Sequence, residues 1–293
     1  MHSLAIELKR LNYVVTGSDD VIYEPSKSSL IENDLYPNEL GWHESNIKDD
    51  LDFVILGMHA RSDNPELKLA KHKKIKHLLY ASSSSVYGTS INEDGSFKET
   101  DPLSPINPYG RSKVMCERII EDYARTYGMN YMNLRLFNVA GSDGGKLGYQ
   151  KDPIKHVLPI LVQRGLLGQV FTINGVNYPT DDGTVIRDYT HVSDVARAFV
   201  ATTHWIIDQQ LSGVLNIGNN NPVSMLELVK EVEEQLDTTI ETHNAVERDG
   251  DMIQTHADIS TTEKVLGWQP ALSIKDIVAD EIKWQKIKLK KLL

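Results

Sequence analysis

Tyr109 and Lys113 stand four residues apart, downstream of the serine run from Ser82 to Ser85. A free phenol, with a pKa of about 10, is a poor base near neutrality unless an adjacent cation stabilises its phenolate. Lys113 supplies that cation if both side chains share one helical face, and a spacing of four puts them there. Asn107 is a good N-cap and Pro108 suits the first helical position, so a helix is predicted from this point over 109–127. Each residue also has a plainer reading. An isolated Tyr/Lys pair is more often a half-buried aromatic beside a solvated charge, and consecutive serines usually satisfy backbone groups at a strand end or turn.

Around this pair, short β-branched or apolar runs alternate with segments of helical period. Helices are predicted over 1–11 and 109–127, and strands over 12–17, 52–57, 76–82 and 130–137. Such alternation implies βα units and an α/β fold with a doubly wound, parallel, Rossmann-like sheet. Past residue 150 the texture changes, with a loop rich in Gly, Asn, Asp and Pro at 174–184 and a turn at Asn219 to Pro222. A smaller C-terminal lobe follows from that change. Ser224 and Glu227 form a capping box that opens a helix at 225–236, and Gly267 followed by Pro270 closes another. The division expected is 1–150 for the Rossmann-like domain and 151–293 mainly for the lobe, with returns to the Rossmann layer near 188–218.

The 293 residues are enough to bury a sizeable core. A net charge of -10 argues against nucleic acid or an anionic membrane as partner, and the basic run Lys286 to Lys291 reads as a solvated helix end. One cysteine, Cys116, allows no disulfide within the chain and fits a reducing cytoplasm. The ten histidines show no H-E-x-x-H spacing, so no metal is expected. No apolar run has the length of a membrane span, and the stretch from Met1 to Leu11 is amphipathic rather than a signal sequence.

Several motifs occur in order from about residue 74. They are His77-Leu-Leu-Tyr-Ala-Ser-Ser-Ser-Ser-Val-Tyr-Gly88, Asn107-Pro-Tyr-Gly-Arg-Ser-Lys113, Leu134-Arg-Leu-Phe-Asn138 and the loop from Tyr178-Pro-Thr-Asp-Asp-Gly-Thr184 to His191-Val192. Glu247-Arg-Asp-Gly-Asp251 and Leu266-Gly-Trp-Gln-Pro270 follow. Together they resemble the extended short-chain dehydrogenase/reductase family and, within it, the UDP-glucose 4-epimerases. A lone Y-x-x-x-K is weak; motifs in series are specific.

The resemblance implies an NAD-dependent isomerase that epimerises a UDP-hexose by transient hydride transfer. It assigns catalysis to Ser83, Tyr109 and Lys113, with Ser83 hydrogen-bonding the reacting oxygen. Cofactor contacts fall to Tyr109, Lys113 and Phe137. Substrate contacts fall to Ser83, Asn138, Arg187, Arg248 and Asp251, the arginines presenting planar forks of donors to a diphosphate. For Arg187 the alternative is an ion pair with a neighbouring aspartate; for Asn138, a turn cap. His191 reads as structural. Homodimers through a helix like 109–127 are common in the family. Where such epimerases carry Ile-Phe-Gly, this chain has Ile173-Asn174-Gly175, so an aromatic that helps hold the uracil is replaced.

Residues 1–70 resemble a different family. Met1 to Leu11, Val15-Thr-Gly-Ser-Asp-Asp20 and Ile55 to Glu66 are similar to the first domain of UDP-N-acetylmuramate:L-alanine ligases, also a nucleotide-binding α/β fold. In both families a first strand and glycine-rich turn are expected ahead of the opening helix, and no G-x-G-x-x-G or G-x-x-G-x-x-G lies in this stretch. The G-x-x-x-x-G-K-[ST] loop of an ATP-driven ligase is also absent. Readings that compete with epimerisation are a non-catalytic UDP-sugar binding module, an inactive hybrid, and another NAD-dependent nucleotide-sugar dehydratase or reductase.

Overall fold

The computed structural model describes residues 2–24, 26–48, 51, 53–56, 64–72, 76–92, 94–149, 153–248 and 250–290. Part of the Ile55 to Glu66 motif (57–63), Asp249 and the last residue of the basic run lie outside them. In chain order the first half contains α1 (His2–Arg10), α2 (Ser26–Glu32), β1 (Phe53–Leu56), α3 (Pro65–His72), β2 (His77–Ser83), β3 (Ser96–Phe97), α4 (Pro108–Tyr127), β4 (Asn130–Leu136) and β5 (Asn138–Ala140). The second half contains α5 (Val157–Leu167), β6 (Phe171–Asn174), β7 (Ile186–Arg187), β8 (Tyr189–His191), α6 (Val192–Gln209), β9 (Gly213–Ile217) and β10 (Val223–Ser224). It closes with α7 (Met225–Leu236), β11 (Thr242–Ala245), β12 (Gln254–Ala257), α8 (Ser260–Leu266) and α9 (Ile274–Lys290).

The main sheet is parallel, in the order β1-β2-β4-β9. Every residue of β2 is buried, as a central strand covered on both faces requires. Side chains alternate between those faces. Leu79, Ala81, Met132, Leu134, Leu215 and Ile217 pack against α1 and α6. Leu78 and Tyr80 meet Ile120 of α4 on the other side. Burying an aliphatic side chain of this size contributes about 1.5–3 kcal/mol, so these two layers dominate the cohesion of the sheet.

A second core lies beyond residue 150. Leu158 and Leu161 of α5, Ile173 of β6, Leu228 and Val232 of α7, and Ile277 of α9 are fully or almost fully buried together. The capping box of α7 is present, with the Ser224 hydroxyl accepting from Glu227 N–H and the Glu227 carboxylate accepting from Ser224 N–H.

One predicted element does not form. Residues 12–17 are not a strand: Asn12 takes a left-handed φ of 66° after α1, and Val14 is 97% exposed. β-Branched residues favour a strand only where a neighbouring strand supplies hydrogen bonds and a packing surface. Among the described residues β1 pairs with β2 alone, and no strand lies beside 12–17. Ser18 is instead drawn to Glu66 of α3, whose Oε1 accepts from Ser18 Oγ at 2.5 Å, Asn46 Nδ2 at 2.7 Å and His43 N–H at 3.0 Å.

Candidate active site

Helix α4 begins as its sequence demands. Asn107 Oδ1 accepts from Gly110 N–H at 2.8 Å, Pro108 occupies the first turn, and Gly128 closes the far end in the left-handed conformation. Gly110 is required by packing: a Cβ there would stand 2.2 Å from the Ser85 carbonyl oxygen. The helix start is thereby pressed onto the serine turn. A 3-10 turn at Ser84–Val86 follows β2, and the Ser83 hydroxyl caps it by accepting from Ser85 N–H at 3.2 Å.

This approach brings Ser83, Tyr109 and Lys113 together. Tyr109 is 43% exposed and hydrogen-bonded to Ser83, whereas Lys113 is 2% exposed. Lys113 Nζ donates to the Ala81 carbonyl at 2.8 Å, and stands 4.8 Å from the Tyr80 ring centre and 5.6 Å from that of Tyr109. Burial pushes the Tyr109 phenol above its ordinary value, with the Ser83 hydrogen bond opposing. Burial also lowers the Lys113 ammonium, against the opposing pull of Cys116 and Glu117. Both shifts favour the uncharged forms, so a phenolate at Tyr109 needs further positive charge at the site.

Ser82 does not share its neighbour's position. Its hydroxyl donates to Glu117, away from Tyr109 along the buried face of α4. Phe137 is 5% exposed and packed among Val86, Tyr87 and Phe97, so its ring belongs to an aromatic cluster.

The predicted substrate residues gather through strand pairing. Ser83 is in register with Leu136, two residues before Asn138. Asn138 N–H donates to the Asp188 carbonyl at 3.0 Å as β5 pairs with β8, which places it beside the segment carrying Arg187. Asp188 anchors that segment from within: fully buried, it accepts from the backbone N–H groups of Asn219, Asn220 and Ala257 at 2.8, 3.1 and 3.0 Å. Ser83 and Asn138 thus lie at the C-terminal ends of the parallel strands β2 and β4, where open α/β sheets bind ligands.

Arg187 forms an ion pair, at 2.8 Å, with Asp251 rather than with an aspartate beside it in sequence. Two predicted substrate residues therefore satisfy each other. Asp251 shares a turn with the exposed Arg248, whose carbonyl accepts from Asp251 N–H at 3.2 Å. The Tyr178 hydroxyl is buried without a hydrogen-bond partner, and Asp251, Glu247, Arg187 and Arg248 all act on it electrostatically. His191 is structural as expected, capping α6 by accepting from Ser193 N–H at 3.1 Å and facing Asp280 at 3.4 Å.

Sequence reasoning passed over Glu117, Arg135 and Tyr178. The signal for Glu117 was its place four residues after Lys113; for Arg135, a charge among the apolar residues of Leu134-Arg-Leu136. The donor set at Tyr109 and Lys113 fits the nicotinamide end of a dinucleotide. Among the described residues no glycine cradle for its pyrophosphate is found, and Gly17 faces open space, since a Cβ at that position would meet nothing within 4 Å. No helix among the described residues is long and apolar enough to cross a membrane.

A parallel sheet with a Ser, Tyr and Lys group at its strand ends, beside an arginine-bearing lobe, defines a nucleotide-dependent enzyme of the Rossmann type. The chain belongs to the NAD dependent epimerase/dehydratase family, whose sequence pattern matches residues 64–218. It is 34% identical over 223 residues to the UDP-glucose 4-epimerase of Lactobacillus helveticus, covering 75% of this chain and 67% of that protein. It is 32% identical over 273 residues to the UDP-glucose 4-epimerase of Halalkalibacterium halodurans, covering 92% and 76%. Its fold is similar to that of the UDP-glucose-4-epimerase from Stenotrophomonas maltophila with bound NAD and formylated UDP-arabinopyranose. That likeness has a TM-score of 0.88 at 25% identity and covers 99% of this chain and 95% of that one.

Proposed function

We propose that this chain epimerises a UDP-hexose, interconverting UDP-glucose and UDP-galactose, with NAD as cofactor. The observation that carries the reading is the convergence of Ser83, Tyr109 and Lys113 where α4 meets the end of β2. The similarity to UDP-glucose 4-epimerases, one of them solved with NAD and a UDP-sugar, supports it.

Tyr109 accepts the proton of the sugar hydroxyl, and Ser83 hydrogen-bonds the same oxygen. NAD, when bound, supplies hydride acceptance and the positive charge that favours the phenolate. Lys113, held by the Ala81 carbonyl, adds its ammonium to that field and holds the nicotinamide ribose. Asn138, Arg187 and Arg248 bind the diphosphate. Because Arg187 is paired with Asp251, substrate has to draw it from that carboxylate, which then turns to the uridine ribose. Loss of a hydride and a proton from the sugar's secondary alcohol would give a keto-sugar, and return of both, the proton from Tyr109 and the hydride to the opposite face of the carbon, would give the epimer.

A homodimer through α4 accompanies this reading. Met115, Ile119, Tyr123 and Tyr127 recur every four residues along its outer face, and Met115 and Tyr127 are more than half exposed. The place of action is the reducing cytoplasm, on the single cysteine.

The test is direct: the purified chain is assayed for bound NAD and for interconversion of UDP-glucose and UDP-galactose. Turnover upholds the proposal. Calorimetric binding of a UDP-hexose with neither NAD binding nor turnover favours the second reading, a non-catalytic UDP-sugar module.

A further inference from the structure

Behind the catalytic group lies a polar knot in a largely apolar interface. Arg135 of β4 and Glu117 of α4 have side chains only 4% and 1% exposed. Arg135 donates twice to the carboxylate, from Nη2 to Oε2 at 2.8 Å and from Nε to Oε1 at 3.2 Å. Ser82 Oγ donates to Glu117 Oε1 as well. Arg135 Nη1 donates to the Tyr87 hydroxyl at 3.0 Å and the Glu99 carbonyl at 3.1 Å, and the Tyr87 hydroxyl donates to Asn216 Oδ1 at 2.6 Å. The knot ties α4 to β2, β4, β9 and the turn after β2.

Stability is a weak explanation for such a pair. Removing two charges from water offsets most of their attraction, and apolar side chains of equal volume often do as well or better. Its placement is more telling. Ser82 adjoins Ser83, Ala81 one residue earlier holds Lys113 Nζ, and Glu117 follows Lys113 by one helical turn. Gly110 meets Ser85 at the other end of the same contact. The helix is pinned to the end of β2 at two points, with Lys113 between them.

We propose that Glu117, gripped by Arg135 and Ser82, is a positioning residue: it sets the height of α4 against the end of β2, and so the placement of Tyr109 and Lys113 relative to Ser83. This rests on the reading of those three residues as the catalytic group. Cys116 and, to a lesser degree, the Glu117 carboxylate oppose the effect of burial on the Lys113 ammonium.

Two variants test the proposal, Glu117→Gln and the apolar double replacement Glu117→Leu with Arg135→Met. Each is assayed with NAD and UDP-glucose, melted thermally, and titrated by following the Lys113 13Cε resonance, identified by its loss in Lys113→Arg. Expected are KM within about twofold, kcat at least about tenfold lower and a Lys113 titration moved to lower pH, with the double variant melting within a few degrees of the parent and Glu117→Gln, which leaves Arg135 an unpaired buried charge, melting lower. A folded variant with parental kcat and an unmoved Lys113 titration overturns the proposal. If the parent chain itself does not interconvert the sugars, the epimerase reading fails and the titration alone decides: a shifted Lys113 supports the positioning role, an unshifted one overturns it. Should Glu117→Gln not fold, the double variant, which leaves no unpaired charge, decides the matter by the same measurements and outcomes.

Discussion

Tyr109 carries the proposed chemistry and almost none of the fold. With 43% of its surface exposed, it tolerates loss of the hydroxyl. Tyr109→Phe is expected to lower kcat by about 10² to 10⁴, the usual contribution of a general base, while the thermal midpoint stays put; steady-state kinetics beside a melting curve check both. Lys113 is the opposite case, buried to 2% and bonded to Ala81. Its type and spacing were legible in the sequence, whereas its depth was not. A four-residue spacing places two side chains on one helical face but says nothing about which of them meets the sheet. The same holds for Arg187: its guanidinium suggested a diphosphate, and only folding brought Asp251, 64 residues away, into contact with it.

At the scale of elements, the approach of α4 to the serine turn is the contact on which the site depends. Gly110→Ala places a methyl 2.2 Å from a backbone oxygen that has no rotamer with which to yield. The expected cost is about 1–3 kcal/mol of stability, typical of overpacking, together with loss of activity at temperatures where the protein remains folded; denaturant unfolding and assay of the same preparation check this. Helix α9 makes a separate prediction. Glu281 is 1% exposed, and burial pushes its carboxyl from 4.5 up to about 7, although Gln285 Nε2 donates to it at 2.7 Å. A carboxyl whose pKa is higher in the folded state binds its proton more tightly there, so stability falls as pH rises from about 4.5 to 7. Glu281→Gln removes the charge, and its stability relative to the parent is expected to grow across that window to at most about 3 kcal/mol. Melting curves at pH 5 and pH 8 measure it, and an unchanged difference between them sinks the idea.

For the whole molecule, the apolar stripe on α4 bears on assembly. If two copies bury it, Ile119→Glu is expected to yield a monomer in sedimentation velocity, where the parent chain sediments as a dimer. That change leaves Tyr109 and Lys113 on their own face of the helix. The alternation of runs, the Asn107-Pro108 cap, the capping box at Ser224 and the Tyr109/Lys113 spacing were decided by the chain itself, because each depends on neighbours within a turn of helix or a few residues of strand. The strand predicted over 12–17 did not form, since a strand exists only in a ladder and no local pattern reveals whether one is available. Only the tertiary structure assembled the Glu117, Arg135 and Ser82 knot, seated Gly110 on Ser85, and spent Arg187 on Asp251. Those contacts join residues far apart in sequence, where burial and strand register, rather than spacing, determine which groups meet.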